Sequence, residues 1–249
     1  MRSLAVIGGT GIDQWDGLAI VQEHVMETPF GATSRPVQEG LLHGRKVFFL
    51  QRHGSPKAIP PHAINYRANV WALNALCVTD VIAINAVGGI AENASAGTLV
   101  IPDQLIDYTW GREHTFDTGE SGSLAHIDFT QPFDTSLRSL LCDFAAITQS
   151  DCITQGVYGV TQGPRLETAA EIRRMANDGC TVVGMTAMPE AALARELSIN
   201  YASLCIVVNA AAGLSDQPLT LTAMRSTLEC TAIAVRDLLA ELVQSGQLD

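Results

Sequence analysis

Charge is scarce in this chain. Only 16% of its 249 residues are Asp, Glu, Lys or Arg, and 15 basic residues face 26 acidic ones, for a net charge of −11. A reader of duplex nucleic acid or anionic lipid presents a basic stripe, and none is visible. Disorder is excluded too, because it needs low hydrophobicity with high charge, and here 47% of residues are apolar. Cysteine is present, as Cys77, Cys142, Cys152, Cys180, Cys205 and Cys230, but no Cys-x-x-Cys occurs and several lie in apolar runs. That pattern predicts reduced thiols in a cytoplasmic protein, not a disulfide frame. The six histidines lack His-Glu-x-x-His or comparable ligand spacing, so no metal is expected. Triphosphate-binding Gly-x-x-x-x-Gly-Lys-[Ser/Thr], dinucleotide-binding Gly-x-Gly-x-x-Gly and the Gly-x-Ser-x-Gly nucleophile elbow are all missing. The longest uncharged stretch, Leu197 to Ser215, is interrupted by Asn200, Tyr201, Asn209 and Gly213. It reads as a buried strand and a turn, so no membrane span is expected. Only five residues separate Arg2 from Gly8, too few for a signal peptide.

What is present is alternation. Short, nearly continuous apolar runs at Leu4–Ile7, Val47–Leu50, Val81–Ile84, Thr98–Ile101, Gly156–Val160, Thr181–Val183 and Leu204–Val208 read as central strands covered on both faces. Helical spacing marks Asn65 to Cys77, Thr168 to Asn177 and Pro189 to Leu197. It is strongest at the C-terminus, where Leu221, Met224, Leu228, Ala232, Val235, Leu239 and Leu242 form one long stripe. Strands alternating with helices predict a single three-layer α/β domain. The polar segment Gly111 to Gly122 predicts a loop. The apolar content exceeds what a lone monomer of this size needs, which points to a subunit interface.

Chemistry-bearing residues cluster at predicted strand ends. Gly8-Gly9-Thr10-Gly11 follows the first strand, where glycines let backbone amides approach an anion. Gln51-Arg52-His53-Gly54 follows the second, bringing a guanidinium fork suited to phosphate oxygens. Asn85-Ala86-Val87-Gly88-Gly89 follows the third, and Asn209 closes the strand Leu204–Val208. Gly163-Pro164-Arg165-Leu166-Glu167-Thr168 and Gly184-Met185-Thr186-Ala187-Met188-Pro189-Glu190 add two more groups. Each alone has a plain structural explanation as a turn, a cap or a surface charge. Together they predict one ligand crevice along a single edge of the sheet.

In that order, and with Asn65-Tyr66-Arg67-Ala68-Asn69 between them, these motifs resemble the trimeric nucleoside phosphorylase family, which includes purine nucleoside and methylthioadenosine phosphorylases. The resemblance covers nearly the whole chain. It implies a central mixed sheet flanked by helices, a homotrimer, and cleavage of an N-ribosidic bond by inorganic phosphate as co-substrate. No metal or organic cofactor is implied. Carried over by motif, Thr10, Arg52, His53, Ala86 (through its amide) and Thr186 would hold phosphate, and Met185 would lie against the ribose. His126, in Ala125-His126-Ile127-Asp128-Phe129, resembles a segment that reaches into the neighbouring subunit's site.

Base choice follows from residue chemistry laid over that resemblance. Adenine-type members place aspartates after the equivalent of Leu204–Val208, whereas this chain has Asn209, Ala210 and Ala211. An Asn offers NH₂ to a 6-oxo group and its carbonyl to a protonated N7, and Glu167 would accept from N1–H. Leu166 departs from the family pattern, which has an aromatic there. Counting along the C-terminal helix, Leu221 and Met224 would form an apolar 5′ pocket, which disfavours a 5′-hydroxyl and favours a methylthio group. The combination predicts 5′-methylthioinosine as the preferred substrate. The alternatives are a methylthioadenosine phosphorylase, an inosine/guanosine phosphorylase, a nucleosidase using water, or a non-catalytic nucleoside-binding module.

Overall fold

The computed structural model describes residues 2–9, 15, 17–119, 126–215 and 220–248, with the backbone alone for Leu221. The elements run β1 (Leu4–Gly8), β2 (Ala19–His24), β3 (Glu27–Thr28), β4 (Gly31–Ala32), β5 (Val37–Leu42), β6 (Arg45–Gln51), α1 (Tyr66–Ala75), β7 (Asp80–Gly89), β8 (Leu99–Val100) and β9 (Gln104–Asp107). They continue with α2 (Thr135–Ile147), β10 (Cys152–Ile153), β11 (Val157–Val160), α3 (Ala169–Asn177), β12 (Val182–Gly184), α4 (Ala187–Glu196), β13 (Asn200–Ala210) and α5 (Leu221–Ser245). The main sheet has the order β10-β8-β13-β7-β1-β6-β5-β2. Its centre, β13-β7-β1-β6, is parallel, while β5 and β2 add an antiparallel edge. Past its midpoint β7 also takes β12 as an antiparallel neighbour, and β12 carries β11 and β9 in parallel. The sheet is therefore mixed.

Alternation along the central strands explains the three layers. Ala5, Ile7, Phe48, Leu50, Val81 and Ala83 face α1 and α4. Leu4, Val6, Val47, Phe49, Ile82 and Ile84 face α2 and α5. Both sets are buried, which is why these strands read as continuous apolar runs. On α5, Leu228, Ala232, Val235, Leu239 and Leu242 are buried at the predicted spacing. All seven expected strands and all four expected helices are present.

The outer elements were not anticipated. The edge strand β2 is exposed along almost its whole length, so it lacks an apolar face to give it away. Helix α2 did carry a signal. Asp134 caps it by accepting from the Leu137 amide at 2.8 Å, and Leu137, Leu141 and Phe144 are buried one turn apart. Gly111–Gly119 forms no regular element, in keeping with the expected loop. Among the described residues, no helix is long and apolar enough to cross a membrane.

Candidate active site

The carboxyl ends of β1, β6, β7 and β13 converge on a cavity of about 320 Å³. Its lining includes Gly9, Arg52, His53, Ala86 and Thr186, together with Glu167, Met185 and Asn209. Met224, Arg225 and Leu228 of α5 line it too. Eight residues singled out from sequence therefore share one space: Arg52, His53, Ala86, Glu167, Met185, Thr186, Asn209 and Met224. Thr10 and the side chain of Leu221 lie outside the described residues. His126 is exposed and does not line the cavity of its own chain.

Two local expectations need correction. Asn85–Gly89 is not a turn after a strand. It is the second half of β7, held by pairing to β13 on one side and, at Gly88 and Gly89, to β12 on the other. Likewise Asn209 lies inside β13, just past a register shift between Val207 and Asn209. Such a bulge re-aims the side chains that follow it. Here it coincides with the point where Asn209 lines the cavity.

Arg52 is fully buried, as is Glu190 in the first turn of α4. Arg52 Nε and Nη2 donate to the two Glu190 oxygens at 2.8 Å each, and Nη1 donates to the Ile84 carbonyl at 3.0 Å. Tyr201 Oη donates to Glu190 Oε1 at 2.9 Å. Burial opposes the Arg52 charge most strongly, but attraction and hydrogen bonding from Glu190 together outweigh it, and the guanidinium pKa is raised. Gly9 makes room for this arrangement. A Cβ there would fall 2.5 Å from the Ile84 carbonyl oxygen and 3.0 Å from Arg52 Nη1. Glu190 stands in one of the strand-end motifs, where sequence alone assigns it no role. A lone buried arginine requires a counter-ion, and that requirement was the available signal.

His53 Nδ1 lies 3.0 Å from the Ile59 carbonyl. A carbonyl only accepts, so Nδ1 carries the proton, and Nε2 carries one only when the ring is charged. Thr186 is the N-cap residue of α4, but its hydroxyl does not cap the helix. Instead it accepts from Asn85 Nδ2 at 2.7 Å, and Asn85 Oδ1 in turn accepts from Ser203 at 2.7 Å. All three are buried. This chain of bonds fixes Thr186 from behind.

Glu167 precedes α3 rather than sitting in its first turn. Thr168 is the N-cap, and it forms a reciprocal capping box with Glu171. Arg165 forks onto Glu171 and, with the Thr168 amide, holds its carboxyl down to about 2. The helix end is thus already satisfied by Glu171, and Glu167 accepts from Thr161 Oγ1 at 2.6 Å while lining the cavity. Asn209 Nδ2 donates to the Ala210 carbonyl at 2.6 Å. Ala211 is buried against Val183, with no carboxylate at that position. Arg225, at the cavity beside Met224, was not anticipated from sequence. Among the described residues, no three His, Cys, Asp or Glu side chains are placed to hold a metal ion.

A buried guanidinium, an imidazole and a threonine hydroxyl share one crevice of a mixed sheet with a carboxylate and an amide, a set that invites comparison with known proteins. The family model described as the phosphorylase superfamily matches residues 3–244. This chain belongs to the phosphorylase superfamily. It is 47% identical over 243 residues to a probable S-methyl-5′-thioinosine phosphorylase of Xanthomonas campestris pv. campestris, covering 97% of each chain. It is 42% identical over 240 residues to a probable 6-oxopurine nucleoside phosphorylase of Dictyoglomus turgidum, covering 96% of this chain and 90% of that one. Among solved structures, methylthioadenosine phosphorylase from Schistosoma mansoni in complex with adenine superposes with a TM-score of 0.93 at 31% identity. That match covers 98% of this chain and 92% of the other. The mixed α/β architecture expected of the family is the one observed.

Proposed function

We propose that this phosphorylase cleaves 5′-methylthioinosine with inorganic phosphate, giving hypoxanthine and 5-methylthioribose 1-phosphate. The observation that carries the reading is the shared cavity. Arg52, His53 and Thr186, whose groups suit an anion, line it together with Glu167 and Asn209, whose groups suit the hydrogen-bonding edge of a base. A 6-oxopurine offers N1–H to the Glu167 carboxylate. It takes a hydrogen bond at O6 from the Asn209 amide and returns one from a protonated N7 to the amide oxygen. As the glycosidic bond breaks, the ribose gains oxocarbenium character and the purine gains negative charge. Phosphate held beside the sugar stabilises the cation and then captures it, while the donors around the base meet the departing charge. The protein's part is positioning and electrostatic stabilisation. Met224 and Leu228 supply an apolar wall from α5, suited to a methylthio group, since an unpaired buried hydroxyl costs about 1–3 kcal/mol.

A substrate panel with and without phosphate, in the presence of a chelator, tests this. Release of hypoxanthine from methylthioinosine should be fastest, should require phosphate and should be insensitive to the chelator. Fastest cleavage of methylthioadenosine would defeat the base assignment, and fastest cleavage of inosine the 5′ assignment. Release without phosphate would mean a nucleosidase, and binding without turnover a non-catalytic module.

The assembly belongs to the same proposal. Trp110 is 73% exposed and Leu166 and Leu214 are each 47% exposed, apolar surface that a single chain leaves in water. His126 of one subunit would then complete a neighbour's site in a homotrimer. Light scattering should give three times the chain mass, and a monomer mass would rule this out.

A further inference from the structure

Arg112 lies in the polar segment whose composition predicts a loop. In the structure its side chain is among the most connected outside the cavity. The residue is 9% exposed, although it follows β9 in the irregular segment Gly111–Gly119. Its guanidinium lies 5.6 Å from the Tyr66 ring centroid. Nε donates to Gln162 Oε1 at 3.2 Å, and Nη2 donates to the carbonyls of Thr161 at 3.1 Å and Gln162 at 2.8 Å. Nη1 donates to the carbonyls of Met185 at 2.9 Å and Met188 at 2.5 Å, and to Tyr66 Oη at 3.4 Å. None of these acceptors is a carboxylate. The cation is compensated by oriented carbonyl dipoles: four of the six acceptors are main-chain carbonyls, and the other two are the Gln162 side-chain oxygen and the Tyr66 phenol.

The places tied together are what give this arrangement a function. Thr161 and Gln162 continue β11, and Thr161 Oγ1 holds the Glu167 carboxylate. Met185 to Met188 is the turn from β12 into the kinked start of α4, and Met185 lines the cavity. Tyr66 donates to the Pro61 carbonyl, and Pro61 also lines the cavity. The strands themselves are joined as far as the bond from the Thr161 amide to the Gly184 carbonyl. Beyond that point Arg112 bridges the two segments. Thr186, by contrast, has an independent anchor in Asn85.

We propose that Arg112 is a positioning residue for nucleoside binding: it holds the Glu167-bearing and Met185-bearing segments in register, and leaves the phosphate side to other anchors. The inference rests on the functional reading above. Lysine cannot replace it, because an ammonium has three donors and no planar fork.

The test uses Arg112→Ala and Arg112→Lys in the full chain, with kcat and both KM values measured against wild type and normalised to folded protein. A misplacement of about 1 Å costs about 100-fold. Accordingly kcat/KM for the nucleoside should fall about 100-fold in both variants while the phosphate KM stays within a few-fold. Millimolar guanidinium, far below denaturing levels, should restore part of the loss in Arg112→Ala. A lowered melting temperature with both KM values unchanged would overturn the proposal, as would equal losses for both substrates with no rescue. If Arg112→Ala does not fold, Arg112→Lys decides. A nucleoside-selective defect there supports the proposal, and wild-type kinetics overturns it. A wild-type enzyme inactive on every purine nucleoside would instead overturn the functional reading itself, and this inference with it.

Discussion

Replacing Glu190 with alanine should destabilise the protein by about 3–5 kcal/mol and remove its phosphorolytic activity. That is the usual cost of stripping one partner from a buried ion pair, because the other charge stays behind without compensation. Glu190 and Arg52 are both fully buried and meet through two bonds of 2.8 Å. Against a total stability of about 5–15 kcal/mol, the loss would be a large fraction of the whole. The chemistry should fail with it, because the carboxylate fixes the plane of the guanidinium and Tyr201 fixes the carboxylate. Glu190→Gln keeps the volume but turns an NH₂ toward a cation, so it should sit between the alanine variant and wild type in stability. Urea unfolding with tryptophan fluorescence reads the first effect, and kcat/KM for phosphate reads the second. An alanine variant with the wild-type urea midpoint would show that the pair does not carry the charge of Arg52 in solution.

The second large effect concerns base choice. Asn209→Asp should lower kcat/KM for methylthioinosine by about 10- to 100-fold, the equivalent of about 1–3 kcal/mol for a donor lost against a buried acceptor. In that variant a carboxylate oxygen faces the O6 acceptor in place of an amide N–H. Adenine presents an amino group at the same edge, so methylthioadenosine should gain relative to methylthioinosine. The reversal should be incomplete, because the Glu167 carboxylate, held by Thr161 at 2.6 Å, would face the unprotonated N1 of adenine. Measuring both substrates on both proteins gives the ratio of ratios. If that ratio does not move, Asn209 does not read the base.

Much of this was legible in the chain itself, for identifiable reasons. Central strands are buried on both faces, so Leu4–Ile7 or Leu204–Val208 could be found from apolar runs alone. Helix α5 declared itself through a stripe repeated over six turns. The edge strand β2 has no buried face and left no such trace. In the site, residues such as Arg52 and Thr186 were found because glycine- and proline-rich motifs fix where they stand. Arg112 and Glu190 were not. Arg112 acts through acceptors that are mostly main-chain carbonyls, which have no sequence signature. Glu190 acts through a partner 138 positions away. Pairings of that span are products of the fold. The motif boundaries erred for a related reason: Asn85–Gly89 looks like a turn by composition, yet it is strand because β12 and β13 both require it to be.

The irregularity in β13 has an evolutionary corollary. Side chains along a strand alternate in parity, and the extra residue between Val207 and Asn209 reverses that parity for everything after it. The amide at position 209 therefore reaches the crevice by virtue of a counting offset as much as by its own identity. A one-residue deletion at Val208, itself part of the cavity wall, would restore even counting and turn that amide to the opposite face. Discrimination between purines in such a frame is open to indels as well as to point substitutions, so two relatives could both keep an asparagine here and still differ in the base they accept.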